Sequence, residues 1–165
     1  SGTGTRNFPI FRLAEIYLDY AEAMNEYLDV PDQSVYQYLN LIRNRVAMPN
    51  LPILPADNTK TGMRSRIQNE RRIELAFESH RFWDVRRWLI AKTVDNVPAL
   101  GLNARPSAAE LSATGLDVSS EAAGVAVFYK TVTLQNRVFQ DKHYLMPIPQ
   151  SEIDKDPKLV QNYGW

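Results

Sequence analysis

The chain has 165 residues, which is enough for one domain with a hydrophobic core. Its 19 basic and 19 acidic side chains cancel, so no net charge attracts the protein to nucleic acid or anionic lipid. It has no cysteine, which excludes disulfides, thiolate metal sites and cysteine nucleophiles. No apolar run reaches the roughly 18–20 residues of a membrane span, and residues 1–5 lack the basic and apolar regions of a signal peptide.

The N-terminal third of the chain has the pattern of a helical hairpin. Apolar residues recur every three or four positions in 10–28 and again in 34–46, and Pro31 lies between the two runs. Two amphipathic helices on a short connector are typical of an antiparallel pair. Three prolines, two asparagines and a glycine in 49–62 then predict a surface loop.

The most unusual stretch of the chain is 64–92. It contains seven arginines, four carboxylates, two tryptophans and two phenylalanines, without glycine or proline. The pattern predicts one long helix from about Met63 to Ala91, with a bend near Ser79-His80. Because bulky aromatics do not suit a solvated helix and unpaired charges do not suit a buried one, we expect an arginine–carboxylate network against an aromatic core.

Within this stretch Glu70, Glu74 and Glu78 are spaced four residues apart and would share one face of a helix. One interpretation is a carboxylate row for metal binding, or for hydrolysis by two carboxylates roughly 5–9.5 Å apart. The other is a network of bidentate arginine pairs that fixes how helices dock. The spacing favours the second, because arginines lie one turn away and would keep the carboxylates ionised. The predicted partners within the helix are Arg66 for Glu70, Arg71 for Glu74 and Arg81 for Glu78, with Asp84 and Arg87 as a further pair.

The tryptophans and histidines give no clear site. Trp83 and Trp88 are five residues apart, about 140° around a straight helix, so they cannot form one stacking platform and core packing is predicted for each. His80 and His143 are the only histidines, and neither has a partner at metal-ligand spacing. Both are interpreted as hydrogen-bonded structural residues. No catalytic residue, metal ligand or cofactor site is predicted.

The second half of the chain is less regular. Residues 93–124 lack periodicity and are interpreted as a long excursion with one short helix near 107–113. Alternation in 124–134 predicts a strand, and 138–145 is predicted to supply a second short one. A short helix is predicted at the serine-capped 151–154.

Four segments carry a resemblance to a known family. They read FRLAEIYLDYAEAMNE, YLNLIRNRVAMP, NERRIELAFESHRFWDVRRW and RVFQDKHYLMPIPQSEIDKDPKLVQNYGW, in this order. Together they closely resemble the C-terminal region of the SusD/RagB family, the nutrient-binding surface lipoproteins of the Bacteroidetes outer membrane. The resemblance covers 8–92 and 137–165. The family pattern has glycine where Ser79 stands and proline where Tyr163 stands.

This resemblance implies a mainly α fold. Residues 1–165 would form a C-terminal SusD/RagB-like domain. It would begin with a tetratricopeptide-like (TPR-like) helical hairpin at 8–48, followed by an arginine-rich and aromatic helix at 63–92. A variable region at 93–136, with a short β-hairpin among irregular loops, and a C-terminal family motif at 137–165 would complete it. Family members are much longer than this chain and begin with a signal peptide and a lipid-bearing cysteine, so a C-terminal fragment is expected.

The resemblance also implies a function. Family members are non-catalytic; they bind a glycan, or for some members a peptide, at the cell surface and deliver it to a SusC-like TonB-dependent transporter for nutrient uptake. No family ligand residue matches a position here, so the exposed parts of 49–62 and 93–136 are the expected contacts, with Tyr129 as the candidate aromatic. Two alternatives remain: a purely structural scaffold that contacts the transporter, with ligand binding carried by a missing N-terminal part, and a hydrolase that uses Glu70, Glu74 or Glu78.

Overall fold

The structure is a computed structural model that describes residues 10–104, 107–113, 115 and 129–165. The chain divides into two compact units, one ending at Asp84 and one beginning at Val85. The described helices are α1 Leu13–Tyr27, α2 Gln33–Asn44, α3 Lys60–Glu74, α4 His80–Arg87, α5 Ala91–Val94, α6 Ala108–Ala113 and α7 Gln150–Ile153. Two 3-10 turns, Pro55–Asn58 and Asp141–Tyr144, and two strands, β1 Ala99–Asn103 and β2 Lys130–Gln135, complete the described elements. The predicted mainly α fold class is confirmed. None of the helices in the described part of the chain is long and apolar enough to cross a membrane.

The first unit is built on the predicted helical hairpin. α1 packs against α2 and also against α3. Asp32 begins α2, because its side chain accepts a hydrogen bond from the backbone N–H of Ser34 at 2.8 Å. The core between the three helices is almost fully buried and is contributed by all of them. Its innermost residues are Leu18, Ala21, Val35, Leu39, Met63 and Ile67.

The predicted single helix from Met63 to Ala91 is wrong, because a turn at 75–79 separates α3 from α4. Phe77 and Ser79 have φ angles of 65° and 66°, in the left-handed region that interrupts a right-handed helix. The predicted bend near Ser79-His80 coincides with the start of α4. The glycine that the family pattern has at Ser79 fits the same geometry, since glycine adopts positive φ without strain.

The second unit has a smaller core formed by Val85, Ala91 and Phe139. Asn96 holds Phe139 in place through both backbone groups: it accepts from the N–H of Phe139 at 2.6 Å and donates to its carbonyl oxygen at 3.1 Å. The C-terminal Trp165 donates its indole N–H to the carbonyl oxygens of Lys142 and Leu145.

The two strands form an antiparallel pair in which Leu100 lies opposite Thr133. The second strand predicted at 138–145 is wrong; that segment contains the 3-10 turn Asp141–Tyr144, and the partner of β2 is β1, in the stretch interpreted as irregular. The predicted strand at 124–134 is found from Lys130 onward, and 124–128 lie outside the described residues. The predicted short helix near 107–113 is confirmed as α6.

The left-handed backbone at Ser79 gives a stability prediction. Ser79→Gly is expected to raise the free energy of unfolding by about 0.5–1 kcal/mol, because glycine removes the steric cost of positive φ. The same substitution inside α3, Ser65→Gly, is the matched control and is expected to lower it by about 0.5–1 kcal/mol. Urea denaturation of both variants measures the difference. A stability loss in Ser79→Gly as large as that in Ser65→Gly would contradict the assignment.

Candidate functional site

The sequence singled out Glu74 and Glu78, and the structure places both next to one arginine at the start of α1. Nη1 of Arg12 lies 2.6 Å from Oε1 of Glu74, and its Nε lies 2.7 Å from Oε2 of Glu78. Arg12 also donates to the main-chain oxygen of Glu74, the last residue of α3. Arg45 completes the cluster at 2.8 Å from Oε2 of Glu74. These carboxylates therefore join the beginning of α1 and the end of α2 to the end of α3.

Glu70 lies deeper and pairs with a different arginine. Its Oε1 accepts from Nη1 of Arg43 on α2, and both side chains are buried. Nε of Arg43 donates to the carbonyl oxygen of Pro49 at 2.8 Å, so the guanidinium is held on two sides. A buried charge pair is stable only when its remaining hydrogen-bonding groups are satisfied in this way.

Arg71 is the most densely paired arginine of the first unit. Its side chain is 4% exposed. Nε and Nη2 donate to the two carboxylate oxygens of Asp84 at 3.1 and 3.2 Å, and Nη1 donates to Asp19 on α1. Glu22 adds a third carboxylate, with its Oε2 3.8 Å from Nε of Arg71. One guanidinium on α3 therefore fixes both α1 and the first part of α4.

The arginine–carboxylate network is confirmed, but two of the predicted partners within the helix, those of Arg66 and Arg71, are wrong. Arg66 pairs with Asp57 rather than Glu70, and Arg71 pairs with Asp84 and Asp19 rather than Glu74. Each glutamate of the row is therefore paired with at least one arginine from another element. Among the described residues, no group of three His, Asp or Glu side chains could hold a metal ion.

The predicted core packing of Trp83 is wrong. Its side chain is 62% exposed, and its ring meets that of Phe82 edge to face at a centroid distance of 4.9 Å. Trp88 is half-buried, with the guanidinium of Arg87 at 4.6 Å over its ring. The buried residues of α4 are Asp84 and Val85, which leaves Trp83 on the exposed side of the helix.

The two histidines have structural surroundings. Nδ1 of His80 lies 3.7 Å from Oε1 of Glu15. Nδ1 of His143 accepts the backbone N–H of Gln140 at 3.0 Å, and its ring packs against those of Phe139 and Trp165. The interpretation of His143 as a hydrogen-bonded structural residue is therefore confirmed.

Tyr129, the candidate ligand contact, lies immediately before β2. Its side chain is 63% exposed, and its backbone has a φ of 67°. Its N–H donates to the carbonyl oxygen of Asn103 at 2.8 Å, which extends the ladder of the β-hairpin by one bond. The exposed ring is thus carried by a fixed backbone. Part of the predicted variable region around it, residues 105–106, 114 and 116–128, lies outside the described part of the chain.

The sequence reading missed Arg12, Arg43 and Asp57 as members of the network. A usable signal was present, because Arg43 falls one residue after Ile42 on the buried side of an amphipathic helix. A buried arginine requires an acid on the facing element. The sequence does not show which acid that is.

Comparisons with known proteins agree with this architecture. The SusD family profile matches residues 1–165, and the chain belongs to the SusD family. SusD-like protein P25 of Formosa agariphila is 39% identical over 153 residues, which are 93% of this chain and 23% of that protein. The crystal structure of a SusD-like protein from Bacteroides fragilis superposes with a TM-score of 0.73 at 33% identity, over 94% of this chain and 25% of that one. A SusD superfamily protein from Parabacteroides distasonis shares the fold at 20% identity, with a TM-score of 0.61 over 96% of this chain and 27% of that one. The chain thus spans about a quarter of the length of these relatives.

The buried pair of Glu70 and Arg43 gives a second stability prediction. Glu70→Gln is expected to lower the free energy of unfolding by about 3 kcal/mol, because it leaves a buried guanidinium without a counter-charge. The exposed pair of Glu152 and Lys155, 2.7 Å apart, supplies the matched control. Glu152→Gln is expected to cost less than about 1 kcal/mol. Chemical denaturation at neutral pH compares the two, and equal losses would show that Glu70 is not held in a buried pair.

The pKa values of two carboxylates predict how stability depends on pH. Burial alone would raise the pKa of Asp57, but hydrogen bonds from the amides of Leu54 and Ile53 and from Arg66 outweigh it and lower that pKa. The hydrogen bond from Arg64 lowers the pKa of Glu26. Both groups therefore stabilise the fold fully above their unfolded pKa of about 4, and this stability is lost as the pH falls through the lower folded values.

We expect the free energy of unfolding to be lower at about pH 3 than at about pH 6, as measured by urea denaturation. Asp57→Asn is expected to cost about 2 kcal/mol at the higher pH and to reduce the difference between the two conditions. Asp29→Asn, at an exposed position, is the control and is expected to change stability by less than about 0.5 kcal/mol. An unchanged pH difference in Asp57→Asn would contradict the role given to Asp57.

Proposed function

We propose that this chain is part of a non-catalytic receptor that binds a glycan at the cell surface and delivers it to a SusC-like TonB-dependent outer-membrane transporter for nutrient uptake. The observation that carries the proposal is the match of the SusD family profile over residues 1–165. SusD-like proteins generally bind glycans as partners of such transporters. In the full-length protein, a lipid anchor would hold the receptor at the outer membrane.

The state of the carboxylates supports a binding protein rather than a hydrolase. A glycosidase needs one protonated acid and one free carboxylate that face each other across the substrate. In the first unit Glu70, Glu74 and Glu78 each hold at least one guanidinium, and Arg12 links two of them. A sugar would have to compete with an arginine for each of these carboxylates. This arrangement favours a scaffold function for the row.

Tyr129 is the proposed ligand contact within the variable region. An exposed tyrosine offers an apolar ring face and a hydroxyl, which together suit a sugar ring. Its backbone is fixed by the hydrogen bond to Asn103, so little conformational freedom would be lost on binding. The exposed Tyr163, which is 87% exposed, offers the same side chain at a different site of the second unit.

Isothermal titration of the chain with soluble polysaccharides (laminarin, alginate, xylan and pectin) tests this proposal. For a glycan that binds, Tyr129→Ala is expected to weaken affinity about tenfold, the equivalent of about 1.4 kcal/mol. Tyr163→Ala is expected to leave it within about twofold. Equal effects, or none, would remove Tyr129 from the binding site. Release of sugar products during incubation would instead support the hydrolase alternative.

A second candidate function is a scaffold that contacts the transporter, with ligand binding elsewhere in a longer protein. The observation that favours it is the apolar surface of α1, where Leu13, Ile16 and Tyr20 are exposed. This alternative is supported if the chain binds no glycan but is retained by a purified SusC-like transporter in a pull-down. Glycan binding by the chain itself would count against a purely structural role.

A further inference from the structure

A concave site in the first unit is not used by any function described above. It has a volume of about 420 Å³ and lies between the 3-10 turn Pro55–Asn58 and the first half of α3. This volume falls in the range of small-molecule sites, roughly 300–1,000 Å³. The lining residues are Leu54, Ala56, Asp57, Gly62, Ser65, Arg66 and Asn69.

Gly62 determines how closely the walls of this cavity approach each other. A Cβ atom added to Gly62 would lie 2.0 Å from the carbonyl oxygen of Ala56, so only glycine lets α3 begin against the 3-10 turn. Thr59 fixes the same junction: its hydroxyl accepts from the N–H of Gly62 at 3.1 Å and donates to the carbonyl oxygen of Ala56 at 2.9 Å. The floor of the cavity is therefore a rigid piece of backbone.

Arg66 is fixed at the cavity by a buried carboxylate. Asp57 is 2% exposed, and its Oδ2 accepts the N–H groups of Ile53 and Leu54 at 2.8 and 2.9 Å. Asp57 in turn receives Nε and Nη2 of Arg66 at 3.1 and 3.4 Å. Within the described part of the chain, Nη1 of Arg66 has no hydrogen-bond partner. A preorganised guanidinium with one unused donor group is typical of a binding residue.

The other polar groups of the cavity offer one further donor and one acceptor. Oδ1 of Asn69 accepts from Arg72 at 3.0 Å, while its side-chain NH2 has no partner among the described residues. The hydroxyl of Ser65 donates to the carbonyl oxygen of Thr61 at 3.1 Å, and its oxygen can still accept. Leu54 is exposed and supplies an apolar wall. Because Asp57 offsets the charge of Arg66, the site favours a neutral ligand rich in acceptor oxygens and with one apolar face.

We propose that this cavity is a saccharide subsite in which Arg66 and Asn69 donate hydrogen bonds to sugar oxygens and Leu54 packs against the apolar face of the ring. The inference rests on the proposed function and deepens it, because it places a sugar contact outside the variable region. It assigns the ligand class by chemistry: a sugar unit is neutral, carries several acceptor oxygens and has an apolar ring face.

NMR titration of the ¹⁵N-labelled chain with the methyl glycosides of glucose, galactose and mannose tests the subsite directly. We expect the Nε–H signal of Arg66 and the side-chain amide signals of Asn69 to shift for at least one of the three. Arg66→Lys keeps the charge opposite Asp57 but removes the Nη1 donor, and Asn69→Ala removes the amide. Each is expected to raise the Kd for that glycoside at least about fivefold.

Arg64→Lys is the matched control. Arg64 lies on the same helix but pairs with Glu26 at 2.6 Å, so the same substitution is expected to leave the Kd within about twofold. Thermal melts confirm that the variants are folded. The methyl glycoside of glucuronic acid is expected to bind no more tightly than the neutral glucoside, and much tighter binding would overturn the assigned ligand class.

The polysaccharide titration described for the proposed function separates the two possible failures. If a polysaccharide binds but Arg66→Lys and Asn69→Ala leave every affinity unchanged, the subsite is wrong and the proposed function stands. If the glycosides shift Arg66 and Asn69 while no polysaccharide binds, the subsite stands and the proposed function of the chain fails. If none of the glycosides shifts these signals, the subsite is overturned whatever the polysaccharides do.

Discussion

The first unit depends on the burial of the Arg71 guanidinium. A buried cation must be paired and hydrogen-bonded, since an unpaired one would cost more than the fold can supply. Arg71 meets this requirement by drawing together Asp19 on α1 and Asp84 on α4 while it sits on α3. One side chain therefore connects α1, α3 and the first part of α4. The apolar contacts of Leu18 and Ile67 are compatible with the helix positions that these charge pairs specify.

The turn between α3 and α4 makes the rest of the network possible. If α3 continued past Glu74, its main-chain oxygens would be occupied by the next turn of helix. Because the helix ends there, Arg12 can donate to the main-chain oxygen of Glu74 and also reach the Glu78 carboxylate. A cation at a helix C-terminus is further favoured by the helix dipole. The turn that allows Arg12 to pair with Glu74 and Glu78 therefore requires the strained, positive φ angles of Phe77 and Ser79.

Local patterns predicted much of the fold. Spacing located α1 and α2 within a few residues, because an amphipathic helix must place its apolar side chains on one face. Spacing failed at residues 75–79, where a run without glycine or proline nevertheless leaves the helix, since tertiary contacts outweigh local propensity. It also missed β1, whose leucines Leu100 and Leu102 alternate over only five residues. Pairing between distant residues, such as Arg43 with Glu70, is invisible to any argument from spacing along one helix.

The same limit applies to the candidate sites. The carboxylate row attracted attention because it is regular in sequence, yet its oxygens are occupied by arginines from other elements. The loop 49–62 was expected to contact ligand and supplies part of the lining of the cavity beside Arg66, whereas the lining residues on α3 gave no signal in the sequence.

Two arginines of α3, Arg71 and Arg66, differ in how many of their N–H groups are paired within the protein. In Arg71, Nε, Nη1 and Nη2 all meet carboxylates, and the side chain is buried. In Arg66, one carboxylate fixes Nε and Nη2, and among the described residues Nη1 is left without a partner at a concave surface. Both are held by aspartate, so residue type and pairing alone do not distinguish them. What distinguishes them is whether every N–H group of the guanidinium already donates a hydrogen bond within the protein. Only a solvent-accessible N–H without such a bond is able to recognise a ligand.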